Sequence, residues 1–403
     1  QGAALPEYRS YVDETEIPRF AYPDYAERFT AELYQPEEWA QIFADSGAQY
    51  VVLTSKHHEG FCNWDSRSSV PASGYWNAMD QGPRRDILGD LSQAIKQTTS
   101  PHTNRTLRFG AYHSLLEFFN PLYHQDQRNK WTTHNFVDTK AHPELYDLVN
   151  KYEPHLIWSD GAWDTSSDYW KSTEFLAWYA TNSSVAEEAV WNDRWGTDCL
   201  STHGGFYTPS DRYNPGRLLE NKWEDALTLN TYSWGSEKSS TYEDYMTTKD
   251  LLHLLIENVA FGGNMLLNIG PGADGTLNPI FVDRLKGMGD WLKVNGEAIY
   301  STKPWKVGQN ETSASTFYTT QGKTLYAIFT KWPPLDELVL SFPVAMAYVT
   351  KVAFVGVEDE KELTWSFDSY NRIFRVVLPR LTPKKLPCKH AWTLAMTGIV
   401  NID

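Results

Sequence analysis

The sequence predicts an α/β fold: a (β/α)8-like TIM barrel over residues 1–305, followed by an antiparallel β-sandwich over residues 306–403. Three observations carry this. Helical and strand patterns alternate up to about residue 300, and polar and aromatic residues crowd the C-terminal ends of the apolar strands. Beyond Pro304-Trp305 the helices stop and short β-rich runs continue. Apolar strands separated by helices indicate a parallel sheet covered on both faces. In a barrel, the C-terminal rim of that sheet is where sites are built.

Pro36 opens a helix through Trp39, Ile42 and Phe43 that Gly47 closes, and Tyr50 to Thr54 reads as a buried strand. Asp86 caps a helix carrying Ile87, Leu88, Leu91, Ala94 and Ile95 on one face, before the strand Leu107 to His113. Leu145, Leu148, Val149 and Tyr152 mark the next helix, which Pro154 ends ahead of the strand His155 to Asp160. Further strands are predicted at Ala189 to Asp193, Leu218 to Trp223 and, more weakly, Thr231 to Trp234. Leu251 to Val259 is an apolar helix leading through Gly262-Gly263 into the strand Met265 to Ile269, and Pro279 starts a last helix that Gly296 stops. Seven strands are one short of a closed barrel. The missing one belongs before residue 36, where residues 1–35 show no strand pattern, so the first βα unit is expected to be absent from this chain. Gln1 comes first without a signal peptide, as in a processed chain or a fragment. The sandwich strands are expected at Thr324 to Thr330, Leu338 to Phe342, Val349 to Val357, Ile373 to Leu378 and Ala391 to Met396.

Thirty-six Lys and Arg against 51 Asp and Glu give a net charge of -15, which argues against a nucleic-acid partner. No apolar run reaches the ~18 residues of a membrane span; the stretch Val339 to Val349 is interrupted by Pro343. Seventeen Trp, 23 Tyr and 18 Phe furnish either a large core or a sugar-binding cleft, since rings with a polar edge suit the faces and hydroxyls of a pyranose. Cys62, Cys199 and Cys388 allow one disulfide but no framework. Sequons at Asn104, Asn182 and Asn310 offer glycosylation sites.

Gly270 to Gly275 matches G-x-G-x-x-G, but Pro271 lies inside the turn and the next helix waits for Pro279, so a tight loop explains it better than a nucleotide site. His57 and His58 are adjacent and point to opposite sides of an extended segment, which suits a polyhydroxylated ligand better than a metal; no metal or cofactor is expected. Asp160 ends an apolar strand with Trp158 on the same side, where a nucleophilic carboxylate would be held. Glycoside hydrolysis needs a second carboxyl group, and Asp193, Asp198, Asp211, Glu220, Glu224 and Asp225 are all open by spacing alone.

Five ordered motifs sharpen this: Lys56-His57-His58-Glu59-Gly60-Phe61, Trp158-Ser159-Asp160-Gly161, Asn192-Asp193-Arg194-Trp195-Gly196, Lys222-Trp223-Glu224 and Asn268-Ile269-Gly270-Pro271. From about Tyr25 to Trp305 they resemble the α-L-fucosidases of glycoside hydrolase family 29, of the animal lysosomal or secreted type. The resemblance implies a retaining exo-hydrolase of fucosylated glycans with Asp160 as nucleophile. It implies His57, His58, Trp158, Arg194 and one of Tyr112 and His113 in the sugar pocket, with Trp64 as a further pocket aromatic. Asp211 is favoured as acid/base over the competing Glu224. The resemblance further implies a homo-oligomer and a lysosomal or secreted protein. Family members open with a strand carrying Phe-x-His-Trp-Gly that these 403 residues lack, which leaves a non-catalytic, fucose-binding protein as the alternative.

Overall fold

A computed structural model describes residue 10, residues 13–357 and residues 362–402. Up to residue 300, helices and parallel strands alternate. Helix α1 (Pro36–Asp45) begins with Pro36 in its first turn beside Glu37 and Glu38, where acidic groups favour the helix N-terminus, and buries Trp39, Ala40 and Ala44. Gly47 follows at φ +93; a Cβ there would lie 2.5 Å from the Leu292 side chain, so only glycine turns the chain this close to its neighbour. The chain continues through β1 (Tyr50–Lys56), α2 (Ile87–Gln97), β2 (Arg108–Ser114), α3 (Pro121–Arg128), α4 (His142–Tyr152), β3 (Leu156–Asp160), α5 (Ser172–Thr181) and β4 (Val190–Trp191). Asp86 caps α2 by accepting from the Gly89 N–H at 2.8 Å. Then come β5 (Trp223–Thr228), α6 (Thr248–Ala260), β6 (Gly263–Asn268) and α7 (Pro279–Asn295).

Strands β1 to β4 form one parallel sheet in chain order, and β5 and β6 form a second. A parallel bridge from Tyr207 to Trp223 and a Gly205 N–H bond to the Trp191 carbonyl carry the first sheet towards the second. The two sheets curve round a common interior. Glu224 of β5 accepts from Trp158 of β3 at 2.9 Å, from Asn264 of β6 at 2.9 Å and from the Tyr50 hydroxyl of β1. Among the described residues, the outer edges of β1 and β6 pair with no other strand. A cavity of about 1180 Å³ runs along this seam, lined by residues of β1, β6, α1 and α7 as well as by the polar residues of the rim.

Two strand expectations need correction. The run expected at Leu218 to Trp223 instead begins at Trp223 and continues to Thr228. All six of those residues are buried, whereas Arg217, Leu218, Glu220, Asn221 and Lys222 are exposed. The weak strand at Thr231 to Trp234 is a turn, because the Asn230 side chain accepts from the Tyr232 and Ser233 N–H groups.

Beyond residue 302 the pattern is antiparallel. β7 (Lys303–Pro304), β8 (Asn310–Glu311), β9 (Thr316–Gln321) and β10 (Thr324–Phe329) join β12 (Lys351–Phe354) and β15 (Trp392–Thr397) in one sheet. The second sheet contains β11 (Glu337–Leu340), β13 (Trp365–Asp368) and β14 (Ile373–Val377). β7, β8, β9 and β13 lie outside the runs that the sequence predicts as strands. A separate apolar core lies between the sheets, built on Trp305, Leu325, Phe354, Phe374 and Leu394. Hydrogen bonds from Trp291 to the Ala391 carbonyl and from Thr319 to the Ala298 carbonyl dock this region on the α/β part. No helix among the described residues is long and apolar enough to cross a membrane. All three cysteines are free thiols.

Candidate active site

Asp160 is the last residue of β3, in register with Ser114 of β2. Gly161 follows at φ +73; a Cβ there would come within 2.9 Å of the Leu116 and Ser114 side chains and 3.3 Å of His58. The glycine therefore lets the chain turn away at once while the carboxylate stays in the cleft. One carboxylate oxygen accepts from the Tyr112 hydroxyl at 2.7 Å and the other from Arg194 Nη1 at 3.1 Å. Burial, then the Asp160 charge, push the Tyr112 phenol well above its ordinary range, so it remains a donor.

Arg194 is the hinge of the site. Its Nε donates to the Thr208 carbonyl at 2.8 Å and its Nη2 to Asp211 at 2.9 Å, so one guanidinium spans Asp160 and Asp211. The guanidinium carbon lies 4.6 Å above the Trp158 ring, which also stacks on Tyr112 at 5.6 Å; Tyr112 in turn stacks on His57. Burial works against the Arg194 cation, but the two carboxylates outweigh it and raise its pKa. These rings make an aromatic wall with a charged edge.

His58 lies 3.5 Å from Asp160 through Nε2, and its Nδ1 is 2.7 Å from the Ser114 hydroxyl. That hydroxyl donates onward to the Leu116 carbonyl at 2.9 Å. Its lone pair must then accept from His58 Nδ1–H, which assigns the tautomer and leaves Nε2 as the bare acceptor facing the cleft. Burial, followed by the neighbouring His57, lowers the His58 pKa to about 4, which keeps the ring neutral. A neutral imidazole nitrogen beside a carboxylate is suited to accept a hydroxyl hydrogen. His57 is the more exposed ring, 3.3 Å from Glu59.

Three residues named from sequence fall elsewhere. His113 is fully buried, with Nδ1 2.9 Å from Ser55; strand alternation sends Tyr112 into the cleft and His113 to the opposite face. Trp64 is also fully buried and donates to Asp147 at 2.9 Å in the core, away from the cleft. Glu224 sits at the second position of β5, below Trp158, at the N-terminal end of the strands. Burial raises its pKa despite three donors to its carboxylate. Sequence reasoning missed Ser114, which sets the His58 tautomer, and Trp163, whose ring meets His58 edge-on at 4.9 Å. The signal for Trp163 was its place just beyond the Asp160-Gly161 turn. Of the sequon residues, Asn104 and Asn182 are exposed, whereas Asn310 is partly buried in β8.

With this geometry in view, the comparisons are specific. The α-L-fucosidase family profile matches residues 2–297, and the α-L-fucosidase C-terminal domain profile matches residues 309–397. The tissue α-L-fucosidase of Bos taurus is 45% identical over 99% of this chain and 82% of its own length. The plasma α-L-fucosidase of Homo sapiens is 44% identical over 99% of this chain and 83% of its own. The crystal structure of the Thermotoga maritima α-fucosidase in complex with fucose superposes with a TM-score of 0.78 at 27% identity, covering 98% of this chain and 86% of that one. The chain belongs to the α-L-fucosidase family of glycoside hydrolases, family 29.

Proposed function

We propose that the protein is a retaining exo-α-L-fucosidase acting on fucosylated glycans, with Asp160 as nucleophile and Asp211 as general acid/base. The observation that carries this reading is the Arg194 guanidinium shared between the two carboxylates above Trp158. One guanidinium thus holds two carboxylates in the same cleft, the pair of carboxyl groups that a retaining hydrolysis uses. Asp160 attacks the anomeric carbon as the glycosidic C–O bond breaks, and Asp211 gives its proton to the leaving oxygen. Water then attacks the fucosyl-aspartate, Asp211 takes the water's proton, and Asp160 leaves as a carboxylate. Tyr112 and Arg194 steady Asp160 through both steps, and His57, His58 and Trp158 hold the sugar.

Glu224 is the competing acid/base, favoured by its raised pKa. Its three hydrogen bonds to Tyr50, Trp158 and Asn264 fit better with holding the floor under Trp158. Azide rescue separates the two, because azide replaces water without needing a base. Asp211→Gly is expected to be slow on unactivated fucosides and to yield α-fucosyl azide when azide is added. The same rescue by Glu224→Gln instead reassigns the role.

We further propose a catalytic unit over residues 1–305 and a β-sandwich over residues 306–403. The open seam between β1 and β6 supports a barrel whose first βα unit is not among the described strands. Glycosylation at Asn104, Asn182 and Asn310, lysosomal or secreted residence and homo-oligomeric assembly complete the proposal. The names of the tissue and plasma relatives support the compartment.

A further inference from the structure

Trp163 stands on the loop that leaves the Asp160 carboxylate, and its indole is 49% exposed. The loop is nonetheless pinned. Asp164 accepts from the Tyr123 hydroxyl at 2.6 Å, and the Thr165 carbonyl accepts from the Thr197 N–H at 3.0 Å. Holding a large apolar ring half out of water on an ordered loop forgoes the burial that would stabilise the fold. The ring does, however, line the same cavity as Asp160, Arg194 and Asp211, and it packs edge-on against His58. His58 touches both Asp160 and Trp163, so one imidazole links the exposed indole to the carboxylate in the same cavity. A flat apolar face beside polar groups suits the C–H face of a second sugar ring.

We propose that Trp163 is the stacking platform for the sugar to which fucose is attached, and so a specificity-determining residue. This rests on the fucosidase reading above. The test compares the full chain with Trp163→Ala and Trp163→Phe on two substrate types. α-L-Fucosyl fluoride carries no sugar beyond the fucose, and a set of fucosyl disaccharides covers the different linkages. For the disaccharide the parent hydrolyses best, Trp163→Ala is expected to lower kcat/KM about tenfold more than it does for the fluoride, mainly through KM. Trp163→Phe should restore most of that loss. Equal losses on both substrate types, or no loss on the disaccharide, overturn the inference. Failure of the parent on the fluoride overturns the fucosidase reading itself, and the inference with it.

Discussion

Two clusters of charge lie one strand apart and behave in opposite ways. Behind β1, Lys56 bonds Glu117 at 2.8 Å and Glu144 at 2.6 Å, while Lys140 bonds Glu117 at 2.8 Å. Ser73 donates to the Glu144 oxygen that Lys56 does not bond, and Asn120 donates to the Glu117 oxygen that Lys140 also bonds. All four charged groups are buried, two cations face two anions, and each carboxylate has further donors. Burial acts against the ionised forms of both lysines and Glu144, but their partners outweigh it: the lysine pKa values rise and that of Glu144 falls. In the cleft, one guanidinium serves Asp160 and Asp211, and Asp211 reaches solvent. The balanced cluster is closed and built to hold Lys56 directly before the His57-His58 pair. The unbalanced one opens to solvent at Asp211. Charge count and access to solvent, more than burial alone, separate structure from chemistry here.

The sharpest way to break this contrast is Asp160→Asn. Turnover of 4-nitrophenyl α-L-fucoside should fall about ten-thousand-fold or more, while thermal unfolding barely moves. A destabilised variant with residual turnover would mean that Asp160 belongs to the structural class. The mirror experiment is Lys56→Met, which leaves two buried carboxylates against one cation. A loss of about 3–5 kcal/mol in denaturant unfolding is expected, and a variant of parental stability would remove the distinction.

Tyr112→Phe should have an intermediate effect. It deletes one charge-assisted hydrogen bond to Asp160, so kcat should fall about tenfold to a hundredfold with little change in stability. A separate effect lies in the pH dependence of stability. His58 titrates near 6.5 when unfolded and at about 4 when folded. Between those values the unfolded chain binds more protons, so stability is complete above about pH 6.5 and declines as pH falls towards about 4. His58→Asn should flatten that part of a melting-temperature profile, and an unchanged slope would show that the ring is not buried neutral.

How much of this was legible in sequence depends on local contrast. β2 and β3 are apolar runs ending in polar residues, so Tyr112 and Asp160 stand out at their rims. The choice between Tyr112 and His113 needed the direction of strand alternation, which a run apolar on both faces does not reveal. Glu224 depended on where β5 begins. Leu218 drew the expected strand too early and moved Glu224 from the floor to the rim. Trp64 illustrates the limit of composition, since an indole whose N–H finds Asp147 serves a core as well as a pocket. The Lys56 cluster brings together residues from four separate segments, and no spacing in the chain announces it.

The central claim is that Asp160 carries the covalent bond and Asp211 the proton. Incubation with 2-deoxy-2-fluoro-α-L-fucosyl fluoride, followed by proteolysis and mass spectrometry, tests its first half directly. One fluorofucosyl group is expected on the peptide containing Asp160 in the parent and in Glu224→Gln, and none in Asp160→Asn. A label on Asp211 or Glu224, or labelling that survives Asp160→Asn, would contradict it.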